Sequence, residues 1–305
     1  MGNILDDLHQ DEAMILAKIL AKWYLGLLPV ELPDFYEHRK ALQRAELEYK
    51  DEAEARGFQV FFDDFSRPLD VRGKRVLDFG SGYGGRTVRY AELGAASVIG
   101  IEIVPEMVEE GREFAKARGC RTEFVQSVGE SMPFADESFD LVCSYDVFEH
   151  VQFVERCLQE CWRVLAPGGS LYAVFPPYYH PTGGSHLHGY ISRSPLPNLF
   201  FSGKTLMKAA EELMRARNQS YRPPALRPTD PLWSVNGTTI RKYEALTSRL
   251  KFSTVEAHYE PLISPMRSKW EKWRMKYYAW PFRLAARIPI VNEIFVDRIV
   301  LIAIK

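Results

Sequence analysis

The sequence predicts an α/β protein built on a doubly wound, mostly parallel sheet of seven strands. Two observations predict this fold class. Short apolar runs of strand length alternate with segments of helical periodicity between residues 75 and 175. Two further runs near the C-terminus, at 252–259 and 295–304, also have the length and composition of strands. Right-handed crossovers between the parallel strands would then fix the hand of the sheet.

The core of this sheet is predicted within residues 71–176. The predicted strands lie at 75–79, 97–102, 123–126, 139–144 and 170–175, and the predicted helices between them at 86–93, 105–118 and 151–165. Gly94 and Gly119 follow the first two helices, and Pro167-Gly-Gly169 follows the third. Glycine or proline directly after a periodic segment is typical of a helix end.

Three additions to this core are predicted. They are an N-terminal helical cap at 1–70 with helices at 11–28 and 34–56, a substrate-side insertion at 177–235 with a helix near 205–217, and a C-terminal part at 236–305 that completes the sheet and carries a lid insertion at 260–293. Long excursions from a compact domain are usually functional, so we expect the two insertions to contact a substrate.

The composition fits a globular protein without an electrostatic drive toward nucleic acid. Hydrophobic residues make up 46% of the 305 residues and charged residues 26%. The 39 lysines and arginines are balanced by 40 aspartates and glutamates. We therefore expect no nucleic-acid partner.

Compartment and membrane relations are predicted from equally simple patterns. The four cysteines form no CxxC pair, which favours a reducing, cytoplasmic location. The first apolar stretch, Ile15 to Val30, is interrupted by charged residues and lacks the features of a signal peptide. No uncharged run reaches the length of a transmembrane helix. The oligomeric state stays open.

A glycine-rich turn follows the first predicted strand. Its sequence, Gly80-Ser-Gly-Tyr-Gly-Gly85, fits both G-x-G-x-x-G and G-x-G-x-G, so the glycines alone do not identify the ligand. Asp78 precedes the turn, and a carboxylate there would repel a pyrophosphate but suit a cationic amino-acid end. Glu102 ends the second strand, where an acid can accept hydrogen bonds from both ribose hydroxyls.

With these residues in place, the chain resembles the class I S-adenosylmethionine-dependent methyltransferases, in particular their small-molecule, type 11-like branch. The resemblance covers roughly residues 70 to 176. It is carried, in order, by Val76-Leu-Asp-Phe-Gly-Ser-Gly82, Val98-Ile-Gly-Ile-Glu102, Met132-Pro-Phe134 with Ser138-Phe-Asp-Leu-Val142, Phe148-Glu-His-Val151 and Arg163-Val-Leu-Ala-Pro-Gly-Gly169. It implies a Rossmann-like methyltransferase fold with S-adenosylmethionine as the cofactor.

The resemblance also implies a cofactor site. The methionine end would be held by Asp78, Gly80, Ser81, Gly82 and Gly84, the ribose by Glu102, the adenine by Ile103 and the loop Val128, Gly129 and Glu130, and the sulfonium and substrate would lie near Tyr145 and Asp146. Many members of the family have aspartate where this chain has Val128. The contact to the adenine amino group would therefore come from Glu130 or from backbone groups.

Candidate bases follow the fifth strand, in a stretch that contains His180, His186 and His188. Histidine titrates near neutral pH, so His186 and His188 are predicted to act as a general base or to contact substrate, with Asp146 and His150 nearby. A loop ordered by histidine hydrogen bonds is the simpler alternative. A metal site formed by these histidines is a weaker hypothesis, because the histidines lack a fixed ligand spacing.

A second aromatic and basic stretch lies at 270–287. It would form a lid that packs aromatic rings over the substrate, contact a membrane surface peripherally, or pack against the sheet. The sequence does not distinguish among these three interpretations.

The sequence therefore predicts an enzyme that transfers a methyl group from S-adenosylmethionine to an oxygen or nitrogen atom of a small-molecule, glycan or lipid-type acceptor. The alternatives are a nicotinamide-dependent oxidoreductase on a Rossmann sheet and a non-catalytic partner that retains the methyltransferase fold. An RNA methyltransferase is disfavoured by the neutral charge.

Overall fold

A computed structural model describes residues 2–29, 41–53, 58–62, 65, 67–181, 187, 191–217, 235–261, 280–289 and 291–305. The chain divides into two compact units. One contains Met1–His38 and Tyr178–Thr239, and the other contains Arg39–Pro177 and Ile240–Lys305. The predicted N-terminal cap at 1–70 is thus divided between the two units.

All seven predicted strands are present and form one sheet in the larger unit. They are β1 (Arg75–Phe79), β2 (Ser97–Glu102), β3 (Glu123–Gln126), β4 (Phe139–Tyr145), β5 (Leu165–Phe175), β6 (Thr254–Pro261) and β7 (Val296–Ile304), in the order β3-β2-β1-β4-β5-β7-β6. The first five strands are parallel, and β7 runs antiparallel to both β5 and β6. The predicted fold class is confirmed.

Helices cover the sheet and build the smaller unit. In chain order they are α1 (Gly2–Gly26), α2 (Ala41–Ala53), a 3-10 helix (Phe58–Phe62), α3 (Gly85–Glu92), α4 (Pro105–Ala117), α5 (Val154–Val164), α6 (Pro197–Phe200), α7 (Gly203–Ala216), α8 (Ile240–Thr247), α9 (Trp280–Ala285) and α10 (Asn292–Phe295). No helix among the described residues has the length and apolar composition needed to cross a membrane.

The central strands of the sheet, β1, β4, β5 and β7, are largely buried on both faces, which explains why they are rich in apolar residues. The edge strand β6 is mostly exposed and more polar. Successive residues of β1 point to opposite faces. Leu77 belongs to an apolar cluster with Leu158 of α5, whereas Val76 belongs to a second cluster with Phe58 and Phe62 of the 3-10 helix. Packing on both faces of the sheet therefore fixes the positions of the carboxyl ends of the parallel strands.

The boundary between α5 and β5 differs from the predicted one. The proline and two glycines at 167–169 were expected to end a helix before a strand at 170–175. In the structure α5 ends at Val164, and β5 begins at Leu165 and continues through that segment. The pairing with β4 shifts between Phe139 and Leu141, so a bulge accommodates the extra residues, and Gly168 supplies a positive φ of 74° there.

The smaller unit is built around the packing of α1 against α7. Ala21 and Leu25 of α1 are fully buried with Leu206 and Ala210 of α7. An ion pair of 2.7 Å between Lys18 Nζ and a Glu212 carboxylate oxygen borders this contact. Alanines at the interface allow the two helix backbones to approach closely.

Candidate functional site

The glycine-rich loop lies at the carboxyl end of β1, where ligands bind in open parallel sheets. It leads directly into α3, which begins at Gly85. Gly82 has a φ of 54°, and a Cβ atom added there would lie 2.9 Å from Glu48 Oε1. Glycine at this position thus provides both a left-handed backbone and the space that the Glu48 side chain fills.

Half of the backbone donors in this loop are accepted by main-chain oxygens. The N–H groups of Gly80 and Ser81 both donate to the Ile101 carbonyl at 2.9 Å, and the Gly84 N–H donates to the Ser81 carbonyl at 2.9 Å. These bonds tie the loop to β2 and fix its shape.

The remaining donors are accepted by two carboxylates. The Gly82 N–H donates to Glu102 Oε2 at 3.1 Å. The Tyr83 N–H donates to Glu48 Oε1 at 3.4 Å, and the Gly85 N–H donates to Glu48 Oε2 at 3.1 Å. Every backbone N–H from residue 80 to residue 85 thus donates to an acceptor within the protein, and a phosphate could bind them only by displacing a carboxylate or a main-chain carbonyl.

A third carboxylate lies beneath the loop. Asp78 is 1% exposed, and its Oδ2 accepts a hydrogen bond of 2.6 Å from the Thr87 hydroxyl. Burial of the Glu48 carboxylate raises its pKa to about 7, and Asp78 adds to this effect, whereas Arg86 and the two N–H donors act in the opposite direction. The loop is therefore lined by acids whose negative charge favours a cationic ligand.

The predicted ribose and adenine residues lie at the ends of β2 and β3. Glu102 Oε1 accepts from the N–H groups of Ile103 at 2.8 Å and Val104 at 3.1 Å, which fixes this carboxylate at the strand end. Val128 is 43% exposed. Glu130 Oε1 accepts from the N–H groups of residues 152 and 153, so its carboxylate stabilises the start of α5.

A charged cluster lies at the carboxyl end of β4. Asp146 has a φ of 56°, and its Oδ1 accepts a hydrogen bond of 2.7 Å from Nη1 of the largely buried Arg298. The guanidinium of Arg86 lies 4.6 Å from the centre of the Tyr145 ring. A non-glycine residue in the left-handed region is often part of a functional site, and here the ion pair holds the strained backbone.

Glu149 and His150 lie next to this cluster. His150 Nε2 is 3.9 Å from Glu149 Oε1, and Glu149 is 3% exposed. Burial raises the pKa of Glu149 well above its usual range, Asp146 raises it further, and Arg298 lowers it. The part of the chain that the structure describes contains no group of three or more His, Cys, Asp or Glu residues arranged to hold a metal ion.

Comparison with known proteins finds a family that matches the centre of the larger unit. The methyltransferase domain family matches residues 77–173, which contain the loop, Asp78, Glu102, Asp146 and His150. Residues 77–173 are thus similar to a methyltransferase domain. The resemblance to class I S-adenosylmethionine-dependent methyltransferases is thus confirmed.

Curated relatives match the same part of the chain. Norajmaline N-methyltransferase from Rauvolfia serpentina is 36% identical over 120 residues, which are 39% of this chain and 40% of that protein. Demethylmenaquinone methyltransferase from Thermus thermophilus is 36% identical over 111 residues, 36% of this chain and 50% of that protein. A ubiquinone biosynthesis O-methyltransferase from Cereibacter sphaeroides is 35% identical over 109 residues, 36% of this chain and 44% of that protein. The chain spans half or less of the length of each.

His186 and His188, the histidines predicted as bases, lie outside the matched residues 77–173. His186 and His188 fall outside the described residues. His180 is 6% exposed and belongs to the smaller unit. Of the stretch at 270–287, the residues up to 279 also fall outside the described part, and Trp280–Ala285 is helical.

Sequence reasoning missed Glu48, which also lies outside the matched residues 77–173. The helix predicted at 34–56 is heavily charged, and nothing in its pattern distinguishes this glutamate from its neighbours. Its position depends on the packing of Ala45 against Gly85, a contact between residues forty positions apart. That pair of small residues is the one signal in the sequence for this close approach.

Proposed function

We propose that this chain binds S-adenosylmethionine at the loop 80–85 and transfers its methyl group to an oxygen or nitrogen atom of a small molecule. The observation that carries the proposal is the acidic lining of the loop within a methyltransferase domain. The methionine end of the cofactor carries an ammonium, a sulfonium and a carboxylate, and the acids on the loop complement the two positive charges.

The same observation argues against a nicotinamide dinucleotide. Dinucleotide sites present backbone N–H groups to a pyrophosphate at the start of a helix. Here the N–H groups of Tyr83 and Gly85 donate to Glu48, and Asp78 adds negative charge beneath the loop. An anionic pyrophosphate at this loop would meet charges of its own sign.

The cofactor would supply a methyl group activated by the sulfonium. The protein would align that group with the acceptor, because alignment and proximity account for much of the rate gain in such transfers. Glu102, fixed by its backbone donors, is proposed to hold the ribose hydroxyls. Ile103 and the loop Val128–Glu130 are proposed to border the adenine.

The proposal for the methyl acceptor is broader than the proposal for the cofactor. The relatives include enzymes named as N- and O-methyltransferases, and both kinds of acceptor atom stay within the proposal. Glycan or lipid-type acceptors, a cytoplasmic location and a peripheral membrane contact through 270–287 remain predictions. Asp146, held by Arg298, is proposed to position Tyr145 and the substrate. His150 is proposed to lie close to the substrate.

Formation of S-adenosylhomocysteine tests catalysis directly. The purified chain would be incubated with S-adenosylmethionine and panels of phenols, quinols, amines and lipid-linked sugars, and the demethylated cofactor would be quantified. Acceptor-dependent formation of S-adenosylhomocysteine is expected. Cofactor binding without turnover on any panel would favour the non-catalytic alternative.

Replacing His186 and His188 is expected to separate the chemical step from cofactor binding. With an acceptor that reacts through a hydroxyl, His186→Ala or His188→Ala is expected to lower kcat about 100-fold while the affinity for S-adenosylhomocysteine stays unchanged, because a general base acts only in the chemical step. His258→Ala on β6 is the control, since this exposed histidine pairs with Glu260. Normal turnover in both loop variants would contradict the base assignment.

A further inference from the structure

Glu48 approaches the cofactor loop from a helix outside the matched domain. It lies on α2, within the same compact unit as the sheet. Its two carboxylate oxygens accept the N–H groups of Tyr83 and Gly85, and Oε1 lies 2.9 Å from the position of a Cβ atom on Gly82. The carboxylate therefore lies against the face of the loop.

The position of Glu48 is fixed by backbone packing. A Cβ atom added to Gly85 would lie 2.1 Å from the Ala45 carbonyl oxygen and 2.6 Å from the Tyr49 nitrogen. Ala45 is fully buried, and the guanidinium of Arg118, the residue that follows α4, lies 3.9 Å from the centre of the Tyr49 ring. Contacts on both sides thus hold α2 and aim Glu48 at the loop.

The charges around Glu48 come from each element packed against it. Asp78 of β1 repels its negative charge, whereas Arg86 of α3 attracts it. The Tyr83 hydroxyl on the loop accepts a hydrogen bond from Arg44 of α2, and Glu110 of α4 interacts with that tyrosine and that arginine. The carboxylates of Glu48 and Asp78 face the same loop, and a bound cation would reduce the repulsion between their negative charges.

Each Glu48 oxygen retains acceptor capacity beyond its one backbone hydrogen bond, since a carboxylate offers about four lone-pair sites. We propose that Glu48 binds the ammonium group of the cofactor's amino-acid end together with Asp78, so that α2 completes the site. This inference rests on the proposed function. It assigns a binding role to a residue that the family match does not include.

The pH dependence of binding follows from this role. The pKa of Glu48 is about 7, and a cation bound beside it would lower that value. The affinity for S-adenosylhomocysteine should therefore rise about tenfold between pH 6 and pH 8, as the carboxylate loses its proton. S-adenosylhomocysteine is the chosen probe because it has the ammonium and lacks the sulfonium.

Calorimetric titration of Glu48→Gln tests the proposal. We expect the variant to bind S-adenosylhomocysteine at least about tenfold more weakly than the wild type at pH 8, with no rise in affinity between pH 6 and pH 8. Its affinity for 5′-methylthioadenosine, which lacks the amino-acid end, should match that of the wild type. Glu46→Gln is the matched control on the same helix, since Glu46 pairs with Lys50 and Arg118.

Three outcomes are distinguishable. A wild type that binds neither nucleoside overturns the proposed function and this inference with it. Equal weakening of both ligands in Glu48→Gln shows that the glutamate only shapes the loop, and overturns the ammonium contact alone. Unchanged binding of S-adenosylhomocysteine with an unchanged pH profile also overturns it, and leaves the proposed function intact.

Discussion

Asp78→Asn is expected to weaken the binding of S-adenosylmethionine and S-adenosylhomocysteine by about 100-fold, near the upper end for loss of a charge-assisted hydrogen bond. Asp78 is buried at the end of β1 beneath the loop. Asparagine retains the size of the side chain and an acceptor for the Thr87 hydroxyl, so the change removes mainly the negative charge. Isothermal titration calorimetry measures the loss.

Asp140→Asn is the matched control for this change. Asp140 lies on β4 and pairs with Arg75 at the amino end of β1, away from the loop. We expect this variant to lose stability through the broken pair and to bind the cofactor as the wild type does. Wild-type affinity in Asp78→Asn would contradict the placement of the cationic end.

Gly85→Ala is expected to displace α2 from the cofactor site. The added methyl group would overlap the Ala45 carbonyl oxygen and the Tyr49 nitrogen, both backbone atoms that move only with the whole helix. Overpacking of this kind costs about 3 kcal/mol, which corresponds to a fall in Tm of roughly 6–12 °C for a unit of this size. Circular dichroism melting curves measure the change in Tm.

Loss of α2 also removes Glu48 from the loop, so cofactor affinity should fall in the same variant. Gly26→Ala is the control, because a Cβ atom there would meet no atom within 4 Å. Its Tm should stay close to that of the wild type. A Gly85→Ala variant with native Tm and native affinity would show that α2 does not dock as described.

Stability should also depend on pH through Glu48. A carboxyl whose pKa is raised to about 7 in the folded state binds its proton more tightly there than in the unfolded chain. Its contribution to stability is therefore complete below about pH 4.5 and is lost as the pH rises through 7. Relative to Glu48→Gln, the wild-type Tm should fall over this interval, and parallel curves would contradict the raised pKa.

Most of the sheet could be predicted from the sequence because its signals are local. The central strands are largely buried on both faces, so they appear as apolar runs between turns. Asp78 and Glu102 fall at the ends of β1 and β2, which the topology brings together at one edge of the sheet. Spacing along the chain was enough to predict where both acids lie in the sheet, and their roles in cofactor binding stay predictions.

The features that prediction missed depend on contacts between distant parts of the chain. Glu48 reaches the loop through the packing of Ala45 against Gly85, and its own helix carries no local sign of this. The ion pair of Asp146 joins the end of β4 to Arg298 on β7, 152 positions later. The start of β5 was missed because glycines after a proline are typical of a helix end. In the structure, the glycines after Pro167 lie within β5, at the bulge in its pairing with β4.

The most direct test of the central claim is calorimetric titration of the full chain with S-adenosylmethionine, S-adenosylhomocysteine and NAD. The acidic lining of the loop predicts binding of the first two ligands and none of NAD, since the backbone N–H groups at 80–85 already donate to protein acceptors. Binding of NAD without either S-adenosyl ligand would show that the loop accepts a pyrophosphate, and would contradict the proposed function.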